Sequence, residues 1–263
     1  MKVLERQDTY EAFIERLKFV SSRVLLLDYD GTLAPFHFDR SQAFPYSEVP
    51  GLLLQIIQQG TRVVLVSGRR ATELVLLCGL DPHPEIWGSH GLERLLPDGT
   101  YEVAPLPREQ RAGLELAAKS LRSHHLESRI EEKPGGIAVH WRGLSHADAE
   151  KVRKQVMQLW APLLADCGLT LLKFDGGVEL RTPSKNKGDA VRTILSETDP
   201  SSAIAYLGDD QTDEDAFRAL KGRGLAVLVR AESRLTAADV WLRPPDELLG
   251  FLKEWLRASG GEA

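Results

Sequence analysis

The sequence predicts an α/β protein: a parallel sheet wound with helices, carrying an α+β segment inserted between its two halves. Three observations predict it. Between residues 10 and 88, short β-branched and aliphatic runs alternate with amphipathic stretches. Between about 105 and 180 that alternation is lost, and the signals run in the order α-β-β-α-β-β. From residue 187 to 257 the alternation resumes. Alternating strand and helix signals imply parallel strands with crossover helices, whereas hairpins with their own helices imply a separate α+β layer.

Residues 10–20 form an amphipathic helix, and Val24–Leu27 is a buried strand. Pro35, Pro45 and Pro50 interrupt the next stretch, so 33–47 is expected as an irregular flap. Gly51–Gln59 is helical and stops at Gly60, where a C-terminal glycine cap belongs. Arg62–Val66 is a second buried strand, Ala71–Cys78 a helix closed by Gly79, and Glu85–Gly88 a third strand. Asp98-Gly99 signals a hairpin turn between two short strand-like runs. Arg108–His124 is a long helix, and Ile130–Glu132 and Ile137–Trp141 are strands around Gly135-Gly136. Asp148–Asp166 places Val152, Val156, Leu159, Trp160 and Leu163 on one helical face, with Pro162 weakening its end. Thr170–Phe174 and Val178–Arg181 pair across Asp175-Gly176-Gly177. The second half of the core then reads Lys187–Glu197 (helix), Ala203–Leu207 (strand), Thr212–Leu220 (helix), Leu225–Val229 and Val240–Leu242 (strands), and Asp246–Arg257 (helix). The core is therefore expected at 1–105 and 182–263, with 106–181 as the insert.

Composition narrows the function. The 263 residues are 43% hydrophobic and 27% charged, with a net charge of −5 and no Lys/Arg block. Nucleic acid and anionic membrane are not expected partners, and a monomer is expected. The opening MKVLERQDTYEAF has no apolar leader region, and no apolar run approaches the ~20 residues of a membrane span, so a cytoplasmic protein is expected. Cys78 and Cys167 are too few for a disulfide framework or a zinc site and read as small buried hydrophobes.

In an open parallel sheet, ligands bind beyond the carboxyl ends of the strands. Asp28 and Asp30 come after the first strand, Ser67-Gly68-Arg69 after the second, and Gly208-Asp209-Asp210 with Asp213, Glu214 and Asp215 after the fourth; Asn186-Lys187-Gly188 opens a helix. Carboxylates gathered at one edge repel unless a cation sits among them. Oxygen donors without a His or Cys cluster point to Mg²⁺, which favours sites shared with a phosphate. A hydroxyl (Ser67) and a compact cation (Lys187) suit phosphoryl oxygens. A calcium loop counted from Asp28 fails, because Leu33 and Asp39 stand where Gly and Glu are required. Taken singly, Asp209–Asp213 also reads as an acidic helix cap and Ser-Gly-Arg as a turn.

Taken in order, these motifs resemble the haloacid-dehalogenase-like phosphatases. A closer similarity is to the trehalose-6-phosphate phosphatases, through LDYDGTL (27–33), Ser67-Gly68-Arg69, GSHGLE (88–93), EEKPGGIAVHWR (131–142), VELRT (178–182) and GDDQTDE (208–214). Thr182-Pro183 stands where Pro often follows the Arg directly. The resemblance covers nearly the whole chain. It implies a Rossmann-like core with an α+β cap for sugar recognition. It implies Asp28 as a nucleophile that becomes an aspartyl-phosphate, and Asp30 as general acid and base. Mg²⁺ would be held by Asp28, the Asp30 carbonyl and Asp209, with Asp210 or Asp213 completing the shell through water. Ser67 and Lys187 would hold the phosphoryl oxygens. Glu131, Lys133, Arg142 and Glu179, by themselves a solvated face, would contact the disaccharide. Gly31, Thr32, Arg69 and His90 fall on the substrate side, although Arg69 also suits a helix cap and His90 and His140 a structural role. Tyr29 receives no role beyond spacing and packing. The expected activity is Mg²⁺-dependent hydrolysis of trehalose 6-phosphate, the final step of trehalose biosynthesis. The alternatives are a phosphatase for another disaccharide or glycosyl phosphate, or an inactive sugar-phosphate-binding regulator.

Overall fold

A computed structural model describes residues 2–3, 7–174 and 176–261; the expected turn residue Asp175 lies outside the described residues. In chain order the elements are β1 (Lys2–Val3), α1 (Gln7–Phe19), β2 (Arg23–Leu27), α2 (Val49–Gln58), β3 (Thr61–Val66), α3 (Ala71–Leu77), β4 (Glu85–Gly88), β5 (Glu93–Leu95) and β6 (Tyr101–Val103). Then come α4 (Arg108–Ser123), β7 (Ile130–Lys133), β8 (Gly136–His140), α5 (His146–Asp166), β9 (Thr170–Phe174) and β10 (Gly177–Arg181). The last are α6 (Lys187–Ser196), β11 (Ala203–Gly208), α7 (Glu214–Leu220), β12 (Leu225–Val229), β13 (Val240–Leu242) and α8 (Asp246–Ala258). The chain divides into two compact units, Met1–Glu102 with Asn186–Ala263, and Val103–Lys185.

The first unit is built on a sheet of order β1-β13-β12-β11-β2-β3-β4-β5-β6. The six strands from β13 to β4 run parallel, while β1 pairs antiparallel with β13 and β5 antiparallel with β4. β2 reads RVLLL because it is buried on both faces. Leu25 and Leu27 pack with α1, α2, α3 and α8, and Val24 and Leu26 pack with α6 and α7. The chain leaves β2 for β3 and β4 on one side and returns to β11 on the other. That reversal opens a crevice beyond the carboxyl ends of β2 and β11. Two edge features were not expected. The two-residue β1 pairs with β13, and the Asp98-Gly99 hairpin extends the parallel sheet rather than leaving it.

The second unit is an antiparallel sheet of order β7-β8-β10-β9 with α4 and α5 on one face. Its strands alternate by period two. Ile137, Val139, Val178 and Leu180 pack with Leu121, Val156 and Trp160. The intervening positions face the other way, and Glu131, Ala138 and Glu179 stand in one register row. Pro162 does not end α5, which runs on to Asp166. Packing of its apolar face outweighs a proline cost of about 3 kcal/mol. Thr182–Lys185 group with this unit rather than with the core, because Thr182 bonds the Gly135 carbonyl (2.8 Å) and the Gln110 side chain. Cys78 is buried, but Cys167 is only partly so, since it stands at the exposed end of α5. Among the described residues, no helix is long and apolar enough to cross a membrane.

Candidate active site

The Asp28–Thr32 loop is shaped by its own backbone. The Tyr29 carbonyl accepts the N–H groups of Thr32, Leu33 and Ala34 at 3.3, 2.9 and 3.0 Å, so the chain turns sharply after Asp28. Gly31 has φ +83°, and a Cβ there would lie 2.3 Å from Asp209 Oδ2. Only glycine meets both conditions. Tyr29 has a definite task. Its buried hydroxyl bonds the carbonyls of Ala43 (2.8 Å) and Leu77 (3.1 Å), tying the 33–47 flap to the end of α3.

Lys187 opens α6, whose first turn is fixed by a reciprocal cap between Asn186 and Asp189. Its Nζ donates to Asp28 Oδ1 (2.6 Å) and Asp213 Oδ1 (2.8 Å), and all three side chains are buried. Tyr206, on β11, donates to the same Asp213 oxygen at 2.6 Å. Asp213 Oδ2 accepts the N–H groups of Asp209 (3.1 Å) and Asp210 (3.0 Å). A Cβ on Gly208 would come within 2.4 Å of Asp213 Cγ, so glycine is what lets this carboxylate fold under the loop. Asp213 therefore has both oxygens filled by donors. Asp28 Oδ2 has only Thr32 Oγ1, at 3.4 Å, and the Asp209 carboxylate accepts no hydrogen bond among the described residues.

Carboxylate oxygens of Asp28, Asp209 and Asp213 lie within 4.8 Å of one another. One lysine faces three acids. Burial, with repulsion from Asp213, raises the Asp28 carboxyl to about 7 despite Lys187. Burial, with the charges of Asp28 and Asp213, raises Asp209 to about 10. Burial opposes the charge on Lys187, but Asp213 and Asp28 outweigh it and hold the amine protonated. Burial and the same two acids keep the Tyr206 phenol protonated well above its ordinary range. This oxygen-only donor set, with excess negative charge and unsatisfied oxygens on Asp28 and Asp209, fits a hard divalent cation.

Both shifted carboxyls sit above their unfolded values. The stability they contribute is complete below about pH 4 and is lost as pH rises through about 7 for Asp28 and on towards about 10 for Asp209. The metal-free protein is therefore expected to melt at lower temperature at pH 8 than at pH 5. The gain in melting temperature on adding Mg²⁺ should be larger at pH 8. An equal gain at both values would separate cation binding from these two acids.

Asp30 and Asp210 do not join the cluster. Asp30 accepts a two-pronged bond from Arg69 (Nε to Oδ2 2.6 Å, Nη2 to Oδ1 2.7 Å), and Asp210 is exposed and caps Gln211 at 2.7 Å. Arg69 is buried, and its Nη1 is taken by Glu73 and the Arg40 carbonyl. Its fork is thus committed to protein partners rather than turned to a ligand, because two acids lie within its reach. Ser67 is buried after β3, where its Oγ accepts the Arg69 N–H at 3.2 Å. His90 lies behind this loop: its N–H bonds the Ser67 carbonyl (2.9 Å), and its ring covers the Gly68 Cα. Ser89, His90 and Gly91 all have positive φ. The fully buried Glu93 holds them there, accepting from the Ser89 hydroxyl, the Ala71 N–H (3.2 Å) and the Tyr101 hydroxyl (2.9 Å). Sequence reasoning misses Glu93 and Tyr206 as site-building residues. Glu93 lies inside the GSHGLE motif, whereas Tyr206 gives no signal in an apolar run.

In the second unit, Lys133 bonds Glu179 (2.8 Å) and lies 4.0 Å from Glu131, which pairs with His140 at 2.8 Å. Glu131, Lys133 and Glu179 therefore share the sheet face away from the core. Arg142 lies beyond β8, its Cγ against the Gly176 Cα.

Comparison with known proteins points the same way. Residues 26–241 match the family model described as trehalose-phosphatase. A trehalose-phosphate phosphatase of Mycobacterium marinum is 33% identical over 241 residues, covering 86% of this chain. The chain spans 60% of that relative's length. The solved trehalose-6-phosphate phosphatase of Aspergillus fumigatus superposes with a TM-score of 0.65 at 25% identity, over 97% of this chain and all of that one. The haloalkanoate-superfamily phosphatase BT1666 of Bacteroides thetaiotaomicron shares the fold, with a TM-score of 0.60 at 18% identity over 89% and 95% of the two chains.

Proposed function

Because the chain belongs to the trehalose-phosphatase family, we propose that it hydrolyses trehalose 6-phosphate to trehalose and phosphate, with Mg²⁺ as cofactor and Asp28 as nucleophile. The observation that carries this reading is the buried Asp28: one oxygen is held by Lys187, the other is nearly unpaired, and Asp209 stands beside it with free lone pairs.

Asp28 Oδ2 attacks phosphorus, the bond to the sugar oxygen breaks, and the phosphoryl group passes to Asp28. Asp30, in its carboxylic acid form, gives up one of its Arg69 bonds and passes its proton to the departing oxygen, becoming a carboxylate. It then takes a proton from the water that attacks the aspartyl-phosphate, releasing phosphate and restoring Asp28. Lys187, kept charged by Asp213, neutralises phosphoryl oxygens that Ser67 also binds. Mg²⁺ held by Asp28, Asp209 and the Asp30 carbonyl would offset repulsion between carboxylates and phosphate. The second unit reads the sugar: Glu131, Lys133 and Glu179 present acceptors and a donor on one sheet face, with Arg142 nearby.

Phosphate release from a panel of sugar phosphates tests the assignment. Trehalose 6-phosphate is expected to give the highest kcat/KM, and equal or better turnover of another disaccharide phosphate would remove it as the substrate. Glu131→Ala and Arg142→Ala are each expected to lower kcat/KM for the disaccharide about 10- to 100-fold, the worth of one or two lost polar contacts. A generic aryl phosphate should lose less than about threefold. An equal loss on both substrates would assign these residues to folding or to chemistry.

A further inference from the structure

Glu214 belongs to the GDDQTDE run but takes no part in the chemistry above. It begins α7, is largely buried, and has both carboxylate oxygens engaged. Oε1 accepts from Arg234 Nη1, and Oε2 from the Ala237 N–H at 2.8 Å. Arg234 lies in the segment between β12 and β13. Its Nη2 donates to the Asp210 carbonyl at 2.8 Å and reaches the Asp209 carbonyl at 3.4 Å, where Arg230 Nη1 also lies at 3.4 Å. From the other side, Asp213 Oδ2 takes the N–H groups of Asp209 and Asp210. The 209–210 peptide unit is thus held through its N–H by Asp213 and through its carbonyl by Arg234, which also takes the carbonyl of the next unit.

We propose that the Glu214–Arg234 pair is a positioning device for Asp209. It fixes the 209–210 backbone so that the Asp209 carboxylate rests against Gly31, beside the weakly held Asp28 Oδ2. The physical case is the division of labour around the loop. Asp213 constrains the N–H side; Arg234, joined by Arg230 at the Asp209 carbonyl and alone at the Asp210 carbonyl, closes the opposite side. Pairing with Glu214 makes the clamp neutral overall, so it orients the loop without a strong competing charge near the cation ligands. Groups that orient a ligand from behind are commonly worth 10- to 100-fold in metal affinity. The inference rests on the cation-dependent reading above and extends it to residues outside the cluster.

Calorimetric titration of the metal-free, full-length protein with Mg²⁺ tests it, using wild type, Arg234→Met, Arg234→Lys and Glu214→Gln. In Arg234→Met the Kd for Mg²⁺ is expected to rise about tenfold or more, while the substrate KM at saturating Mg²⁺ moves less than about twofold. Arg234→Lys should recover part of the affinity, because a lysine can still reach a carbonyl but cannot fork. Glu214→Gln should weaken Mg²⁺ binding in the same direction and serves if the methionine variant does not fold. Wild-type Mg²⁺ affinity in a folded Arg234→Met or Glu214→Gln overturns the positioning role and leaves the cation-dependent reading standing. A wild-type protein that binds no Mg²⁺ and turns over equally well in EDTA overturns both.

Discussion

Asp28→Asn is expected to lower turnover at least ~10⁴-fold, on the scale seen when a catalytic unit loses its nucleophile, while the protein stays folded. The amide cannot attack phosphorus, and Asp30, held by the Arg69 fork, is not poised to substitute. Stability should move the other way. The Asp28 carboxyl is raised to about 7 by burial and by Asp213, so above that pH its charge opposes folding. The neutral variant escapes this cost, and at pH 8 without metal its melting temperature should equal or exceed that of wild type. Steady-state phosphate release and thermal melts followed by circular dichroism check both halves. Near-wild-type activity would remove Asp28 as nucleophile; a collapsed melt would make its role structural.

Lys187→Met is expected to be the most damaging single change to the fold of the site. Lys187 is the cation between Asp28 and Asp213, all three are buried, and removing one partner of such a group costs about 3–5 kcal/mol. Urea unfolding at pH 8 should show a loss of that order. The loss should shrink at pH 5, because Asp28 takes up a proton readily and no longer needs the ammonium. Activity should fall at least ~10²-fold through lost stabilisation of the transferring phosphoryl group. A pH-independent loss of stability would show that the methionine harms packing rather than charge balance.

Much of this molecule is legible in its sequence, for identifiable reasons. Strands buried on both faces write continuous aliphatic runs, so β2, β3, β11 and β12 are visible, and the residues just past them are the ones the crevice collects. The α+β insert is legible because Gly-rich turns join its strands into two pairs, each preceded by an amphipathic helix. The illegible parts depend on partners distant in the chain. Two residues carry no period, so β1 is silent until β13 provides an edge. Arg69 follows a phosphate-like Ser-Gly, but only the fold brings Asp30 and Glu73 to its fork. Tyr29 reads as a spacer because its partners, Ala43 and Leu77, are carbonyls that no sequence pattern marks. Arg234 stands in an unremarkable loop, and its contacts with Asp209 and Asp210 exist only once β12 lies beside β11.

The proposed mechanism stands or falls on a buried carboxylate that, beside a cation site, takes phosphate from trehalose 6-phosphate. Phosphate release from that sugar by the purified protein, with Mg²⁺ and again after EDTA, is the decisive measurement. Rapid release is expected with Mg²⁺, and at least ~10²-fold slower release after EDTA, restored by returning Mg²⁺ in excess. No release from trehalose 6-phosphate with Mg²⁺ present, or the same rate in EDTA, would contradict it.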